Sequence, residues 1–529
     1  LPQERLRGAA IKKHREVFKT PTMKSSIIWG ITFVVIVSGL TPMLETKWEF
    51  SLSKGIGFSI IALSMVLLTG YAGEINLAPL AFAGIGALSA YQFDVGSTVE
   101  TGAGFATLAT ALALLFAFLV LSAFGFKRRK LWMLSVSIAL LTLLLVTIFD
   151  GTTGTGIASR ESLSISALLV ATLVSGITGA LVALPALRLR GLYLGLATFA
   201  FAIFVDKMVY KQRQTLSLDI PFIGDGEDIT FNIFNNGALN MPRPEFLSIN
   251  FKNNQSGMLI LLAICFTLIA LLLVQLKRSS YGRQLSAMKD SPAASATLGL
   301  NMLRLKLSVF TLAAAIAGFG GALHASNLRA IQEDAPFTVF EGLGLFMLTV
   351  VGGIGYVSGA LIGGILYGTA FIVMGDFWAK LATDWNSFNW LFTFLHDFFL
   401  FLGPAVAGIG LGRNPNGIAA QIFDGFRVLG KRESRRILAI MVIIIISVWV
   451  LRVSEVIDGW TFLLLSLPIL LVSTLIADKK SNLAQTETRN WELLGLDAEI
   501  SMKDEAFLDE TLNLGFTKPQ QISQVDGYE

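Results

Sequence analysis

The chain has 529 residues, of which 53% are hydrophobic and 15% charged, and its mean hydropathy is +0.66. A soluble protein cannot bury that much apolar surface, so the composition excludes a soluble globular protein and indicates a multi-pass membrane protein. The net charge of +4 is carried by short loops and is not a nucleic-acid-binding signature. The single cysteine, Cys265, excludes a disulfide framework and a cysteine-based metal site.

Residues 1–25 form a basic leader. The leader contains no apolar core followed by a small-residue cleavage site, so it is not a signal peptide, and it is interpreted as a cytoplasmic lead-in to the first span. It resembles an internal linker, and the first residue is Leu1 rather than Met. We therefore expect the chain to be one part of a larger assembly or of a larger polypeptide.

Apolar runs long enough to cross a ~30 Å hydrocarbon layer predict an all-α polytopic protein with about 12–14 transmembrane helices. The positive-inside rule places the basic clusters and both termini on the cytoplasmic side. The Gly-rich segments 75–93 and 341–376 are candidates for broken or re-entrant helices. The runs are 27–44, 52–71, 75–93, 102–125, 131–150, 162–186, 191–209, 257–276, 306–325, 341–358, 360–376, 389–411, 437–453 and 459–476.

The chain divides into four regions. After the leader comes a main transmembrane domain (26–430), then additional transmembrane helices (431–477) and an acidic cytoplasmic tail (478–529). Within the main domain, the loop 210–256 is outward and 277–305 is a polar cytoplasmic insert. We expect the outward loop to contact a soluble partner through four carboxylates: Asp219, Asp225, Glu227 and Asp228.

Glycines recur every four residues between 355 and 368. This spacing places small residues on one helix face and favours tight helix–helix contact, so we interpret it as a packing signal. The glycines are Gly355, Gly359 and Gly363, followed by Gly364 and Gly368.

The sequence offers no catalytic or metal site. Residues 425–431 match most of a phosphate-binding loop, but Arg432 stands where a Mg²⁺-binding hydroxyl belongs and no strand precedes it. The three histidines lack metal-ligand spacing. Ionisable candidates at membrane depth are few, chiefly Glu74 and Glu341, so the energy for transport should come from another subunit.

Four motifs, in order over about residues 52–420, resemble the branched-chain amino-acid ABC transporter permeases. The first is GYAGEINL with AFAGIGA, and the second is LRLRGLY with ATFA. The third is SYGRQLSA with the residues that follow to LGL, and the fourth comprises the helix after Lys306 and VVGGIG. The motifs start at residues 70, 81, 187, 197, 280 and 350.

The resemblance implies a role for two groups of residues. The 280–300 segment would couple the chain to an ATPase through Gly282, Arg283, Asp290, Ala293, Ala294 and Gly299. The translocation path or helix break would contain Tyr71, Gly73, Glu74 and Asn76. The chain departs from the family pattern at Glu74, where Gln is usual, in an apparent insertion at 127–150, and beyond residue 437.

The family implies a non-catalytic permease subunit of an ABC importer in the cytoplasmic membrane. Its partners would be a second permease subunit or half, two ATP-binding subunits and an extracytoplasmic solute-binding protein. The chain itself would need no cofactor. The cargo would be branched-chain or related amino acids, with urea or short-chain amides as the alternative within the family. An ion-coupled secondary transporter that uses Glu74 and Glu341 is the alternative from another class. An integral membrane enzyme is disfavoured because no spaced polar constellation lies on the spans.

Overall fold

The computed structural model describes residues 23–94, 162–186, 191–210, 238–246, 249–332, 337–385, 388–398 and 435–454, residue 189, and short stretches within 114–140 and 456–476. The chain separates into two compact units, residues 1–421 and 422–529. We describe each by itself.

The first unit is built almost entirely from helices. In chain order they are α1 (Met23–Leu40), α2 (Thr46–Met65), α3 (Pro79–Asp94), α4 (Ile165–Ala186), α5 (Leu192–Phe204), α6 (Gln255–Arg278), α7 (Ser280–Asp290), α8 (Pro292–Thr297), α9 (Met302–Leu328), α10 (Val339–Gly352), α11 (Val357–Ile365), α12 (Phe371–Asp384) and α13 (Asn389–Asp397). Single π-helical turns extend α2, α5 and α11: Val66–Tyr71, Val205–Tyr210 and Leu366–Ala370.

The described helices include six that are long and apolar enough to cross a membrane. Two of them, α1 and α6, expose large apolar side chains such as Trp29 and Leu272, as expected for surfaces that face lipid. The predicted all-α polytopic class is confirmed. The six spans are Met23–Met43, Thr46–Tyr71, Ile165–Leu184, Gln255–Arg278, Met302–Leu328 and Val357–Asp384. Most of the predicted runs 102–125 and 459–476, and parts of 131–150 and 389–411, lie outside the described residues.

Two predicted runs have different bounds in the structure, one at its start and the other at its end. The run 75–93 begins as a helix at Pro79, because residues 72–78 are not helical. The run 341–358 ends at Gly352, since Gly353 adopts a φ of 113° that terminates α10. A glycine with positive φ lies in each interruption, Gly73 in the first and Gly353 in the second. Both interruptions agree with the expectation of broken helices.

Helix α9 lies at the centre of the unit and packs against α2, α3 and α4. Small residues line these contacts. A Cβ on Gly86 would collide with the backbone of Gly318, and one on Gly321 would collide with the backbone of Ala83. Ser175 of α4 donates a 2.7 Å hydrogen bond to the Phe82 carbonyl of α3. The helices therefore meet backbone to backbone, the arrangement that small residues permit in membranes.

The predicted glycine stripe also packs inside this unit. Gly359 abuts the backbone of Gly353, and a Cβ on Gly363 would lie 2.6 Å from the Thr349 Cα. On the other face, Gly364 and Gly368 abut α2. Gly355 is the exception, because no atom lies within 4 Å of the position of its Cβ.

Short strands and a buried arginine form a cap (238–256) on the ends of α2, α6 and α9. Strands β1 (Ala238–Asn240) and β4 (Ala330–Gln332) pair antiparallel, as do β2 (Glu245–Phe246) and β3 (Ile249–Asn250). Arg243 Nη1 donates to the Phe251 carbonyl at 3.2 Å, and Nη2 donates to Gln255 Oε1. Burial, reinforced by the charge of Arg329, lowers the pKa of Arg243 to about 10, so it stays charged at neutral pH.

The cap connects to the spans through Gln255. Its amide nitrogen donates to Ser53 Oγ at 3.1 Å and to Asn327 Oδ1 at 3.2 Å, which joins α6 to α2 and α9. The cap is the end of the loop predicted at 210–256. The carboxylates predicted to contact a binding protein, Asp219, Asp225, Glu227 and Asp228, lie outside the described residues.

The second unit contains α14 (Arg435–Val453). Met441 is its buried centre, packed against Ile437, Ile445 and Ile469. Ser473 donates a 3.0 Å hydrogen bond to the Met441 sulfur. The predicted acidic tail, 478–529, is outside the described residues.

Candidate functional site

The first component of the site is a helix break (residues 72–78) between α2 and α3. The π-helical turn Val66–Tyr71 precedes it, and Gly73 adopts a φ of 76°, which turns the chain out of the helix. The Glu74 N–H still donates to the Leu68 carbonyl at 3.1 Å. Asn76 Oδ1 accepts a 3.0 Å bond from the Ala78 N–H immediately before α3 starts at Pro79.

Helix α5 forms hydrogen bonds and packing contacts with the second half of this break. The Leu77 N–H donates to Thr198 Oγ1 at 3.1 Å, and that hydroxyl donates to the Gly195 carbonyl at 2.9 Å. A Cβ on Gly195 would lie 3.1 Å from the Ile75 side chain. The break is therefore an ordered, hydrogen-bonded piece of irregular backbone surrounded by protein, which is the setting in which membranes tolerate such backbone.

The second component is the coupling segment (279–301), which folds as two short helices. Ser279, Ser291 and Asn301 each accept a hydrogen bond from a backbone N–H three residues later and so cap α7, α8 and α9. Pro292 occupies the first position of α8. Ser291 and Pro292 end α7 and begin α8, and Gly299 terminates α8 with a φ of 84°.

One face of the coupling segment is buried against the spans. Tyr281, Leu285 and Met288 are 0–2% exposed, and the Tyr281 hydroxyl lies 2.7 Å from Ser308 Oγ of α9. Burial raises the pKa of the Tyr281 phenol above its usual range, so it remains a neutral hydrogen-bonding group. Gly282 belongs to this face, because a Cβ there would collide with the carbonyls of Leu276 and Lys277.

The opposite face is exposed and contains the other predicted coupling residues: Arg283, Asp290, Ala293 and Ala294. Leu298 is 83% exposed on the same segment, which is unusual for a large apolar side chain that belongs to no membrane span. Beside this face lies an open hollow of about 420 Å³ lined by Lys277, Arg278, Arg283 and Ser286. This surface is therefore apolar at one end and basic at the other.

Cations from the coupling segment and its flanks bind the helix break. Lys289 Nζ donates to the Gly70 carbonyl at 2.7 Å, and a Cβ on Gly73 would lie 2.8 Å from the Lys289 Cγ. Lys306 Nζ of α9 lies 2.6 Å from Glu74 Oε1, with both side chains 12–14% exposed. The structure thus brings the predicted break residues into contact with the predicted coupling segment.

A third cation reaches the same region. Lys277 Nζ lies 4.7 Å from the centroid of the Tyr71 ring, within the range of a cation–π interaction. Sequence reasoning assigned these three lysines to membrane topology and missed them as partners of the break. The signal was present, because Glu74 replaces the family's Gln and a buried carboxylate requires a cation nearby.

Metal binding finds no support in the part of the chain that the structure describes, where no cluster of three or more His, Cys, Asp or Glu residues could hold an ion. The site instead consists of a segment with one exposed face and one face in contact with α9. Lys289 of this segment and Lys306 of the adjoining α9 contact the irregular backbone between α2 and α3.

Comparison with known proteins finds similarity to one family over part of the chain. Residues 152–402 match the family model described as branched-chain amino acid transport system / permease component. Two relatives, both named high-affinity branched-chain amino acid transport system permease protein LivM, come from Salmonella typhimurium and Escherichia coli K12. Each is 28% identical over 205 residues, which cover 35% of this chain and 44% of the relative, so the match spans less than half of either protein.

No solved structure matches this chain significantly. The match to the family model contains the coupling segment, Lys289 and Lys306, while α1–α3 and the helix break precede it and pack against helices inside it. Residues 152–402 are therefore similar to the permease components of branched-chain amino acid transport systems.

Proposed function

We propose that this chain is the membrane-spanning permease subunit of an ABC importer for branched-chain or related amino acids. The observation that carries the proposal is the attachment of the coupling segment to the helix break through Lys289, together with the ion pair between Lys306 of the adjoining α9 and Glu74. A segment with one free face and one face connected to transmembrane backbone can convert an external push into a movement of the spans.

In this proposal an ATPase subunit seats on the exposed face of α7 and α8. Leu298 and the alanines supply its apolar contact, while Arg283 and the basic hollow meet acidic groups of the ATPase. Nucleotide-driven closure of two such subunits moves α7, and Lys289 and Lys306 transmit that movement to the helix break. ATP is bound and hydrolysed by those partners, and this chain catalyses no reaction.

The remaining partners are a second permease subunit or half and an extracytoplasmic solute-binding protein on the side of the cap. The coupling segment and both termini are then cytoplasmic, and the protein resides in the cytoplasmic membrane. Glu74 is neutralised by Lys306, which argues against its use as a mobile proton carrier in an ion-coupled mechanism.

Reconstituted transport tests this function. The chain is assembled with its partner permease and ATPases in proteoliposomes that contain ATP, and radiolabelled leucine is supplied with the binding protein. We expect uptake that requires ATP and is insensitive to an uncoupler. Uptake that follows an ion gradient without ATP would instead identify a secondary transporter. Labelled urea accumulating in place of leucine would assign the alternative cargo.

A further inference from the structure

Ionisable side chains lie within the spans, far from the coupling segment. Lys54 is in the third turn of α2, about 12 Å from the start of that helix. Glu341 is in the first turn of α10, and His324 is near the end of α9 closest to the cap. Charged residues at membrane depth are costly, and they commonly mark the path of a polar substrate.

These side chains form one cluster. The charge of Lys54 interacts with both Glu341 and His324, and Glu341 also interacts with Tyr367. Among the described residues, however, no salt bridge joins Lys54 to Glu341, and Glu341 Oε2 is buried without a hydrogen-bond partner. Two opposite charges are therefore held near each other and not in direct contact.

His324 supplies the second, independent observation. Its ring is fully buried, and neither ring nitrogen has a hydrogen-bond partner in the described part of the chain. Asn327, one turn away, has an unpaired side-chain nitrogen as well. Buried polar groups nearly always have hydrogen-bond partners. The unpaired groups of Glu341, His324 and Asn327 therefore indicate that the site receives a polar molecule.

The walls between these polar groups are aromatic. The Phe58 ring lies 4.2 Å from the His324 ring and 4.9 Å from the Tyr367 ring, measured between centroids, and Phe337 lies 6.3 Å from His324 on another side. Gly57 makes room for the imidazole, because a Cβ there would collide with His324 Nδ1. The cluster therefore offers separated opposite charges surrounded by apolar rings.

We propose that Lys54 and Glu341 form a transit site for a free amino acid in its zwitterionic form. Lys54 receives the α-carboxylate, Glu341 receives the α-ammonium group, and the aromatic rings of Phe58 and Phe337 contact an apolar side chain. His324 and Asn327 offer additional hydrogen bonds to the same cargo. Asn327 also binds Gln255 of the cap, so the site lies immediately beneath the surface on which a binding protein would release its ligand.

This inference rests on the proposed function, since it takes the cargo of an amino-acid importer as its ligand. Its test uses the assembled transporter with binding protein and ATP in proteoliposomes, and a leucine analogue that carries a photoreactive diazirine. After illumination, we expect the label on peptides that contain residue 54, 324 or 341, and we expect excess leucine to reduce that labelling at least tenfold.

Variants provide the second readout. Lys54→Met and Glu341→Gln should each lower ATP-dependent leucine uptake at least tenfold, while the binding protein still stimulates ATP hydrolysis. The matched control is Lys47→Met on the same helix, whose side chain is 70% exposed in its pair with Asp376; uptake should stay within twofold of the unmodified protein.

The outcomes separate the two proposals. Normal uptake in Lys54→Met and Glu341→Gln, or leucine-protected label confined to other peptides, would overturn the transit site and leave the importer function standing. Absence of ATP-dependent uptake by the unmodified assembly would refute the importer function itself. If a variant fails to insert into the membrane, the positions labelled in the unmodified protein still test the transit site.

Discussion

Lys306 Nζ lies 2.6 Å from Glu74 Oε1, and this ion pair joins the second turn of α9 to the helix break after α2. Both partners are nearly buried, so neither charge is fully solvated when the other is removed. The pair therefore fixes the position of the break relative to α9, the helix that follows directly from the coupling segment.

The ion pair predicts a rescue by charge exchange. Lys306→Met leaves the Glu74 carboxylate buried without its cation and should destabilise the protein by about 3 kcal/mol. Glu74→Gln retains an acceptor for Lys306 and carries the residue usual in this family, so it should insert at near-normal yield. The measurement is the yield of membrane-inserted protein and its thermal unfolding midpoint in detergent.

The reciprocal pair Glu74→Lys with Lys306→Glu is the control for this prediction. It should recover part of the stability that either single charge reversal loses, because the two charges again attract each other. A double variant no better than the sum of the single reversals would show that the two side chains do not act together.

Lys289 should transmit force without deciding stability. Lys289→Met removes the hydrogen bond from the side-chain ammonium group to the Gly70 carbonyl. We expect ATP hydrolysis to persist while leucine uptake per ATP falls about tenfold. Lys380→Met, on an exposed lysine of α12 outside the coupling segment, is the matched control and should transport normally. Unchanged uptake per ATP in Lys289→Met would disprove the role of this contact.

The exposed face of α7 and α8 should be the ATPase contact. Arg283→Glu and Leu298→Asp should each reduce co-purification of the ATPase subunits at least tenfold, because one reverses a charge and the other places a carboxylate in an apolar contact. Single cysteines at 293 and 294, in a background that lacks Cys265, should crosslink to the ATPase. Crosslinks obtained only from positions 127–130, in the apparent insertion, would exclude this assignment.

Two glycines, Gly282 and Gly355, should respond differently to the same substitution. Gly282→Ala places a Cβ against the carbonyls of Leu276 and Lys277 and should cost about 1–3 kcal/mol. Gly355→Ala meets no atom within 4 Å and should stay within about 0.5 kcal/mol of the unmodified protein. Thermal unfolding of both variants in the same detergent compares them directly, and equal midpoints would contradict the packing role of Gly282.

The sequence predicted those features that depend on composition and local pattern. The membrane class follows from apolar runs, and the coupling segment follows from a polar insert with capping residues such as Ser279 and Ser291. The pairing of Lys306 with Glu74 could not be predicted, because it joins residues that are more than 200 positions apart through the packing of α9 against α2. The contacts of Lys289 and Lys277 were missed for the same reason: their partners come from other helices.

The glycine and serine contacts of α9 have a consequence for how the protein can move. Where Gly86 faces Gly318 and Gly321 faces Ala83, no layer of side chains separates the two backbones. If α3 slid along α9, a residue with a Cβ would move into a contact that has room only for glycine. We therefore expect α3 and α9 to move as one rigid body, and the hinge of any transport cycle to lie at its margins. The helix break, held by polar contacts that can be exchanged one at a time, is such a margin.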